Sequence, residues 1–358
     1  MHLRGPALAR PGFPALYACF LRNQPPTSAM TRLQLSLAIG DYDRTRPLID
    51  GGVQIDGVAP IVMALGPEEI FFRAFRHGEF DICELSLSSF AVLTAAGECP
   101  YVGVPAFVSR AFRHTSIYVR KDRIKAPRDL KNRKIGIAEY QLTANVWARA
   151  LLAEDHGLLP HDPIWVRGGL EEPGRPEKIQ LRLPQTVRLE EAPAGRSLSG
   201  MLSAGEIDAI ISPRAPSSHA RGEAHIGWLF DDPTEVALDY YRRTRIFPIM
   251  HLVGVRRSLA ERHPWLPAAV LKAFTAAKAL AAARLSDTAA TKVMLPFVEE
   301  QLRRARDLLG PDFWSYGLSA NQTTLENFLH HHHLQGLSHR LVTPGELFHP
   351  STHESVKV

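Results

Sequence analysis

Residues 76–89, RHGEFDICELSLSS, and residues 203–216, SAGEIDAIISPRAP, follow one plan. Each reads as a helix end, a Gly-Glu-x-Asp turn, a short apolar strand and a polar run opening on Ser. Ahead of the first copy, LQLSLAIG from residue 33 reads as a strand entering the polar turn DYDRTRPLIDG. Residues 67–77, PEEIFFRAFRH, then carry Pro and two acids in front and bases behind, as a helix macrodipole favours. Strand, helix, strand in that order implies a parallel pair with a right-handed crossover. Around the second copy, RKIGIAEY is a strand, TANVWARALLAEDHG a helix ending at Gly157, IWVRGG a strand and LSGMLSAG a helix. The repetition predicts two α/β lobes, each a mainly parallel sheet flanked by helices, with a ligand cleft between the facing strand ends.

The chain has 358 residues, 45% hydrophobic and 22% charged, enough for two such lobes with a core each. Its net charge of +5 comes from scattered Arg residues, with no dense basic stripe interleaved with aromatics. Small anions are therefore expected as partners, and nucleic acid is not. Three cysteines, Cys19, Cys83 and Cys99, form no CxxC pair, which argues against a disulfide framework or a cysteine zinc site and fits reduced thiols in a cytoplasm. No membrane span is expected, since no run reads as the ~20 apolar residues one needs. Residues 1–29 hold early Arg, the apolar patch GFPALYACFL and the small residues TSA, an outline of a secretory signal. Pro14 interrupts the patch and RNQPP separates it from TSA, so an unstructured leader, or a start at Met30, is the expectation.

The lobes connect through TSIYVRKD, a strand, and APRDLKNR, a short helix. The return follows the helix DDPTEVALDYYRRT, with an Asp cap and Pro233 near its start, and the strand IMHLVGVRR. This predicts a leader at 1–30, lobe 1 from 31–119 plus 247–358, lobe 2 from 120–246, and two hinge crossings. PAAVLKAFTAAKALAAARL, VEEQLRRARDLLG and the segment around LENFLHHHHLQG are expected to cover lobe 1, and GGLEEPGRPEKIQLRLP to form a long loop at the cleft mouth.

The strand ends supply Asp41, Tyr42, Asp43 and Arg44; Glu84, Ser86, Ser88 and Ser89; Tyr140, Gln141 and Thr143; and Arg167, Ser212, Arg214 and His251. Arginines with hydroxyls and a helix start near Thr143 suit a carboxylate-bearing ligand. In SRAFRHTSIYV, residues 109–119, Arg110, Arg113 and His114 crowd the first crossing and could face the cleft together. His114, His251 and Glu84 are the candidates for proton transfer. With Asp41 they could also hold a divalent metal, although their spacing matches no metal motif. HHHH at 330–333 reads as a solvated helix face, and no nucleophile elbow is present.

Taken in order, GDYDRTRPL, FDICELSLSSF, SRAFRHTSIYV, EYQLTANVWARALL, WVRGGLEEPGRPEK, IDAIISPRAPS, YYRRTRIFPIMH and GPDFWSYGL resemble the 4,5-dihydroxyphthalate decarboxylase family, from about residue 33 to about residue 350. The resemblance implies the type 2 periplasmic-binding-protein fold and the loss of CO₂ from 4,5-dihydroxyphthalate to give protocatechuate, a step of phthalate degradation. It implies a small aromatic carboxylate as partner and no redox cofactor, and leaves a divalent metal and homo-oligomerisation open. Under it, Arg44, Arg113 and Arg214 would clamp carboxylates with Arg110 and Arg167 in reserve, and Asp41 would join the binding residues. Glu84 or His251 would take the phenolic proton, His114 would be the acid, and Ser86, Ser88, Tyr140 and Thr143 would orient the ring. A solute-binding receptor handing an aromatic or small organic acid to an ABC-type transporter is the alternative, which an export signal would favour. A related hydroxylated aromatic acid as substrate is a third reading.

Overall fold

The computed structural model describes residues 32–176 and 178–354, so the expectations on the leader fall outside the described residues. Strands β1 (Leu33–Ile39), β2 (Val58–Ala64), β3 (Ile82–Ser86) and β4 (Tyr101–Arg110) begin the first sheet. β5 (Ile117–Arg120), β6 (Lys134–Ile137), β7 (Ile164–Arg167), β8 (Leu189–Glu191), β9 (Ala209–Ile211) and β10 (Ile226–Trp228) form a second sheet in the order β10-β5-β9-β6-β7-β8. β11 (Ile249–Arg256) then returns to complete the first, in the order β2-β1-β3-β11-β4.

β1 runs parallel to β2 and β3, and β6 runs parallel to β7 and β9, so both copies of the repeated device sit in parallel layers of their own sheets. The antiparallel pairs occur where the chain changes sheet: β11 against β3 and β4, and β5 against β9 and β10. β2 and β4 carry Pro60 and Pro105, which in sequence argue against strands. Both are edge strands, where a missing N–H costs little. β3 is the middle strand of its sheet and is buried along its whole length.

The helix Pro67–His77 has the expected bounds, with Glu68 and Glu69 in its first turn, Arg76 and His77 in its last, and Gly78 closing it in the left-handed conformation. The helix Thr143–His156 ends at Gly157 in the same way, and Asp232 caps the helix Pro233–Thr244 by accepting from the amides of Thr234 and Glu235.

Three expectations change. First, the helix Leu266–Leu285 is long and apolar enough to cross a membrane by length and composition. Its stripe Leu266, Val270, Phe274 and Ala277 is spent on the first sheet, packing with Val104, Ala106 and Val108. Second, the tetra-His run in the helix Gln322–Leu334 is not a solvated face. His331 Nε2 lies 2.7 Å from Glu154 Oε1, and His332 is fully buried between the Ser338 hydroxyl and the Ser88 carbonyl. Burial pushes the His332 imidazole down to about 3. Third, this segment reaches beyond lobe 1: Gln335 accepts from Arg149 Nε at 2.7 Å and from the Tyr140 hydroxyl at its carbonyl, and donates to the Val146 carbonyl. It thereby ties itself to the helix that follows β6.

Candidate active site

β3 and β11 are antiparallel neighbours, and their register sets His251 opposite Ser86 and Val253 opposite Glu84. The Glu84 carboxylate is fully buried, and three donors converge on it. His251 Nδ1 lies 2.6 Å from Oε1, the Tyr42 hydroxyl donates to the same oxygen at 2.9 Å, and the Gly40 amide donates to Oε2 at 2.9 Å. Burial alone would raise this carboxyl; the bond and charge of His251, the Gly40 amide and the Tyr42 hydroxyl outweigh it and hold the group below its ordinary value. An ionised carboxylate only accepts, so the proton between the pair sits on Nδ1 and Nε2 is the nitrogen left for a ligand. Phe71 holds the imidazole edge-on at 4.8 Å between ring centroids. Gly40 is required here, because a Cβ at that position would stand 2.5 Å from the Tyr42 ring.

His251 lines a cavity of about 170 Å³ between the sheets. That is the scale of a single ring, since an apolar cavity of about 150 Å³ takes benzene. Ser86 and Thr143 meet across it with their hydroxyls 3.0 Å apart, and the Ser88 amide donates to Thr143 Oγ1 at 3.0 Å. Thr143 opens the helix Thr143–His156, whose N-cap, Leu142, makes no side-chain capping bond. The Leu142 carbonyl takes the amides of Asn145 and Val146, while those of Thr143 and Ala144 have no protein partner among the described residues. Arg113 lines the same cavity, its Nε donating to Met250 Sδ at 3.1 Å. It forms no ion pair with an acid among the described residues, and desolvation draws the guanidinium down to about 10.

A second group lines the rim. Lys178 Nζ lies 2.6 Å from Glu139 Oε1, which also accepts from Arg175 Nε at 2.8 Å, while Gln141 donates to Oε2 at 2.8 Å. Arg175 reaches Glu68 Oε2 at 3.1 Å and Arg214 stands 3.6 Å from Glu68 Oε1. Glu68 opens the helix of the first lobe and the two arginines belong to the second, so the pairs bridge the cleft. Partial burial would raise the Glu68 carboxyl; Arg175, Arg214 and Lys178 together hold it below its ordinary value.

Of the residues anticipated from sequence, Ser86, Arg113, Thr143, Arg214 and His251 line this cavity, and Glu84 stands directly behind His251. The others do not. His114 is buried against Phe112, Phe230 and Tyr240 with no hydrogen-bond partner on either ring nitrogen, and burial takes it down to about 4. Such an imidazole has no path to a ligand in the cleft. Arg110 donates to the carbonyls of Phe247 and Ser315 and to Asn321, stapling the C-terminal segment. Arg44 lies between the Tyr42 and Trp314 rings and donates to the Val108 carbonyl at 2.7 Å. Asp41 pairs with Arg46 on the surface. Arg167 pairs with Glu191 at 2.7 Å, Tyr140 is buried under Arg149, and Ser88 contributes its amide rather than its hydroxyl. Among the described residues no group of three or more His, Cys, Asp and Glu is placed to hold a metal ion.

Glu68, Glu139, Arg175 and Lys178 are functional candidates that the sequence did not single out, and Tyr42 stood among the strand-end residues without an assigned role. Tyr42 follows β1 in the strand-end set, and the other four lie in the helix start PEE, in AEYQ and in the mouth loop GRPEK, where charge alternates without periodicity.

No family model matches this chain. A 4,5-dihydroxyphthalate decarboxylase of Comamonas testosteroni is 58% identical over 330 residues, 92% of this chain and 100% of that protein. A second 4,5-dihydroxyphthalate decarboxylase, from Pseudomonas putida, is 61% identical over 214 residues, 60% of this chain and 83% of that protein. Among solved structures, a protein from Archaeoglobus fulgidus aligns with a TM-score of 0.49 and 14% identity over 85% of this chain and 98% of its own. The periplasmic aliphatic sulphonate binding protein of Escherichia coli aligns with a TM-score of 0.46 and 14% identity over 90% and 99%. With full-length coverage of a relative at that level of identity, and with the cleft built as described, the chain belongs to the 4,5-dihydroxyphthalate decarboxylase family.

Proposed function

We propose that the cleft decarboxylates 4,5-dihydroxyphthalate, the substrate that the names of its relatives state for them, that the products are protocatechuate and CO₂, and that the reaction serves the breakdown of phthalate. The observation that carries this reading is the juxtaposition of Arg113, a cavity cation without an acidic partner, with His251, an imidazole whose far nitrogen is held by a buried carboxylate. An enclosed cation lacking a counter-ion is costly unless a ligand supplies the anion. Arg113 and the unpaired amides of Thr143 and Ala144 therefore take the substrate's carboxylate end.

The reaction needs one proton on the ring carbon that loses CO₂. His251 Nε2 delivers it, with Glu84 on Nδ1 stabilising the charged ring beforehand. Charge from the ionised hydroxyl para to the leaving group flows onto that carbon as the C–H bond forms. The C–C bond to the carboxylate then breaks, its electron pair restores aromaticity, and CO₂ leaves. Dianion plus one proton gives the protocatechuate monoanion plus CO₂, so no electron acceptor enters. Closure of the lobes, bridged by Glu68, excludes water while this charge moves.

The test is incubation of the purified protein with 4,5-dihydroxyphthalate, following protocatechuate by chromatography and CO₂ directly. Stoichiometric product from the wild-type protein and its loss in His251→Asn are expected. Binding without product would replace the decarboxylase with a receptor.

A further inference from the structure

Lys178 belongs to the stretch between β7 and β8, residues 168–188, whose described residues form no helix or strand, yet its side chain is only 5% exposed. A loop lysine ordinarily keeps its ammonium in water. Here Glu139, itself 1% exposed, holds Nζ at 2.6 Å, and Gln141 and Arg175 fix Glu139 in turn. Burial of such a pair gains little stability, so its use lies in placing the ammonium. One of the three N–H groups is taken by Glu139, and no other bond from Nζ is made among the described residues. Lys178 lines the cavity that His251 lines from the other lobe.

Arg113 and the helix amides of Thr143 and Ala144 pair with no acid among the described residues, whereas Lys178 is held directly by Glu139, which Arg175 shares, and Arg175 and Arg214 pair with Glu68. A carboxylate is drawn first to the unpaired donors. The reaction also needs a donor for the hydroxyl para to the leaving group, and para means across the ring from the carbon that His251 protonates.

We infer that Lys178, positioned by Glu139, is a catalytic residue that holds the ionised phenolic oxygen of the substrate. This rests on the decarboxylase reading. The phenolic O–H loses its proton to water, Lys178 stays protonated and donates a hydrogen bond to the resulting oxyanion, and that charge drives proton capture at the ring carbon. After CO₂ departs, the phenolic oxygen recovers a proton from water, and Lys178 ends as it began.

The experiment compares wild type and Lys178→Met in the full chain. Calorimetry measures affinity for phthalate, which has the carboxylates without hydroxyls, and for protocatechuate, which has the hydroxyls and one carboxylate. Lys178→Met is expected to weaken protocatechuate at least tenfold and phthalate by less than twofold. Its kcat should fall about 10²–10³-fold, the loss typical of one oxyanion donor, and recover as pH rises and the phenol ionises unaided. Equal weakening of both ligands would make Lys178 a carboxylate clamp and overturn the inference, as would unchanged affinity for both. The binding arm needs no turnover, so failure of wild type to release CO₂ would sink the decarboxylase reading while still deciding whether Lys178 reads the hydroxyls. Should Lys178→Met not fold, by melting temperature, Lys178→Gln carries the same comparison.

Discussion

His251 Nδ1 lies 2.6 Å from Glu84 Oε1 across two antiparallel strands, with the carboxylate fully buried and the imidazole in the cavity wall. The relationship separates two roles that the sequence left joined. Under the proposed reaction, Glu84 is a positioning residue that fixes the tautomer, and His251 is the group that meets the substrate.

The pair predicts comparable losses in kcat from either member. His251→Asn removes the proton carrier and should lower kcat by about 10²–10⁴-fold, the usual range for a general acid. Glu84→Gln keeps the shape but presents an amide, which lets Nδ1 become the acceptor and turns the ring's proton the wrong way. It should cost kcat a similar factor with KM changed less than about threefold, because Arg113 is untouched. Steady-state kinetics of both variants, with circular dichroism as the check on folding, decide it. Full activity in Glu84→Gln would remove the dyad from the mechanism.

Arg113→Met should separate stability from binding. The variant removes an enclosed cation that has no acid beside it, so the melting temperature of the ligand-free protein should hold or rise. Affinity for the dicarboxylate should fall by about 2–4 kcal/mol, roughly 30- to 1,000-fold, as expected when a desolvated charge partner is removed. Calorimetry with phthalate measures the second quantity and differential scanning calorimetry the first. A large drop in melting temperature would mean that Arg113 serves the fold.

The two-lobed plan was legible because strand, helix and strand alternate with clear caps, and the strand-end rule then pointed to Glu84, Ser86, Thr143 and His251. At the first crossing the same rule failed between neighbours. Arg113 turns into the cavity, whereas His114, which opens the short 3-10 turn, points into the packing of Phe230 and Tyr240. No periodicity governs an irregular turn, so adjacent polar residues there cannot be sorted by side. Arg110 and Arg44 looked like carboxylate clamps for a related reason: a guanidinium that caps carbonyls or stacks on rings has the same sequence signature as one that waits for a ligand. Lys178 and Glu139 escaped notice because they meet only through the fold, 39 residues apart.

Tyr42→Phe tests the outer end of the dyad. The hydroxyl donates to the same Glu84 oxygen as His251, at 2.9 Å. Without it, Glu84 loses one of the bonds that hold its carboxyl below its ordinary value, so the acid limb of the pH–rate profile of kcat/KM should move to higher pH, with kcat at its optimum changed less than about tenfold. Gly40→Ala should do worse, since the new Cβ would drive the Tyr42 ring away from a contact of 2.5 Å and disturb the amide that holds Glu84 Oε2. A profile that stays in place in Tyr42→Phe would show that the hydroxyl only fills space.

His114 supplies the prediction on pH and stability. Burial brings its folded pKa to about 4. The unfolded value is about 6.5, so the folded state resists a proton that the unfolded chain accepts. A depressed folded pKa of this kind leaves stability intact above pH ~6.5 and erodes it as pH falls toward 4, by about 3 kcal/mol in all at ~1.4 kcal/mol per unit. His114→Leu removes the titrating group from an apolar site. It should therefore unfold at a denaturant midpoint that falls less than wild type's between pH 7 and pH 4, with kcat within about threefold of wild type because the residue does not reach the cavity. Parallel loss of stability in both proteins would place the acid lability elsewhere, and His332, pressed down to about 3 between Ser88 and Ser338, would be the next residue to replace.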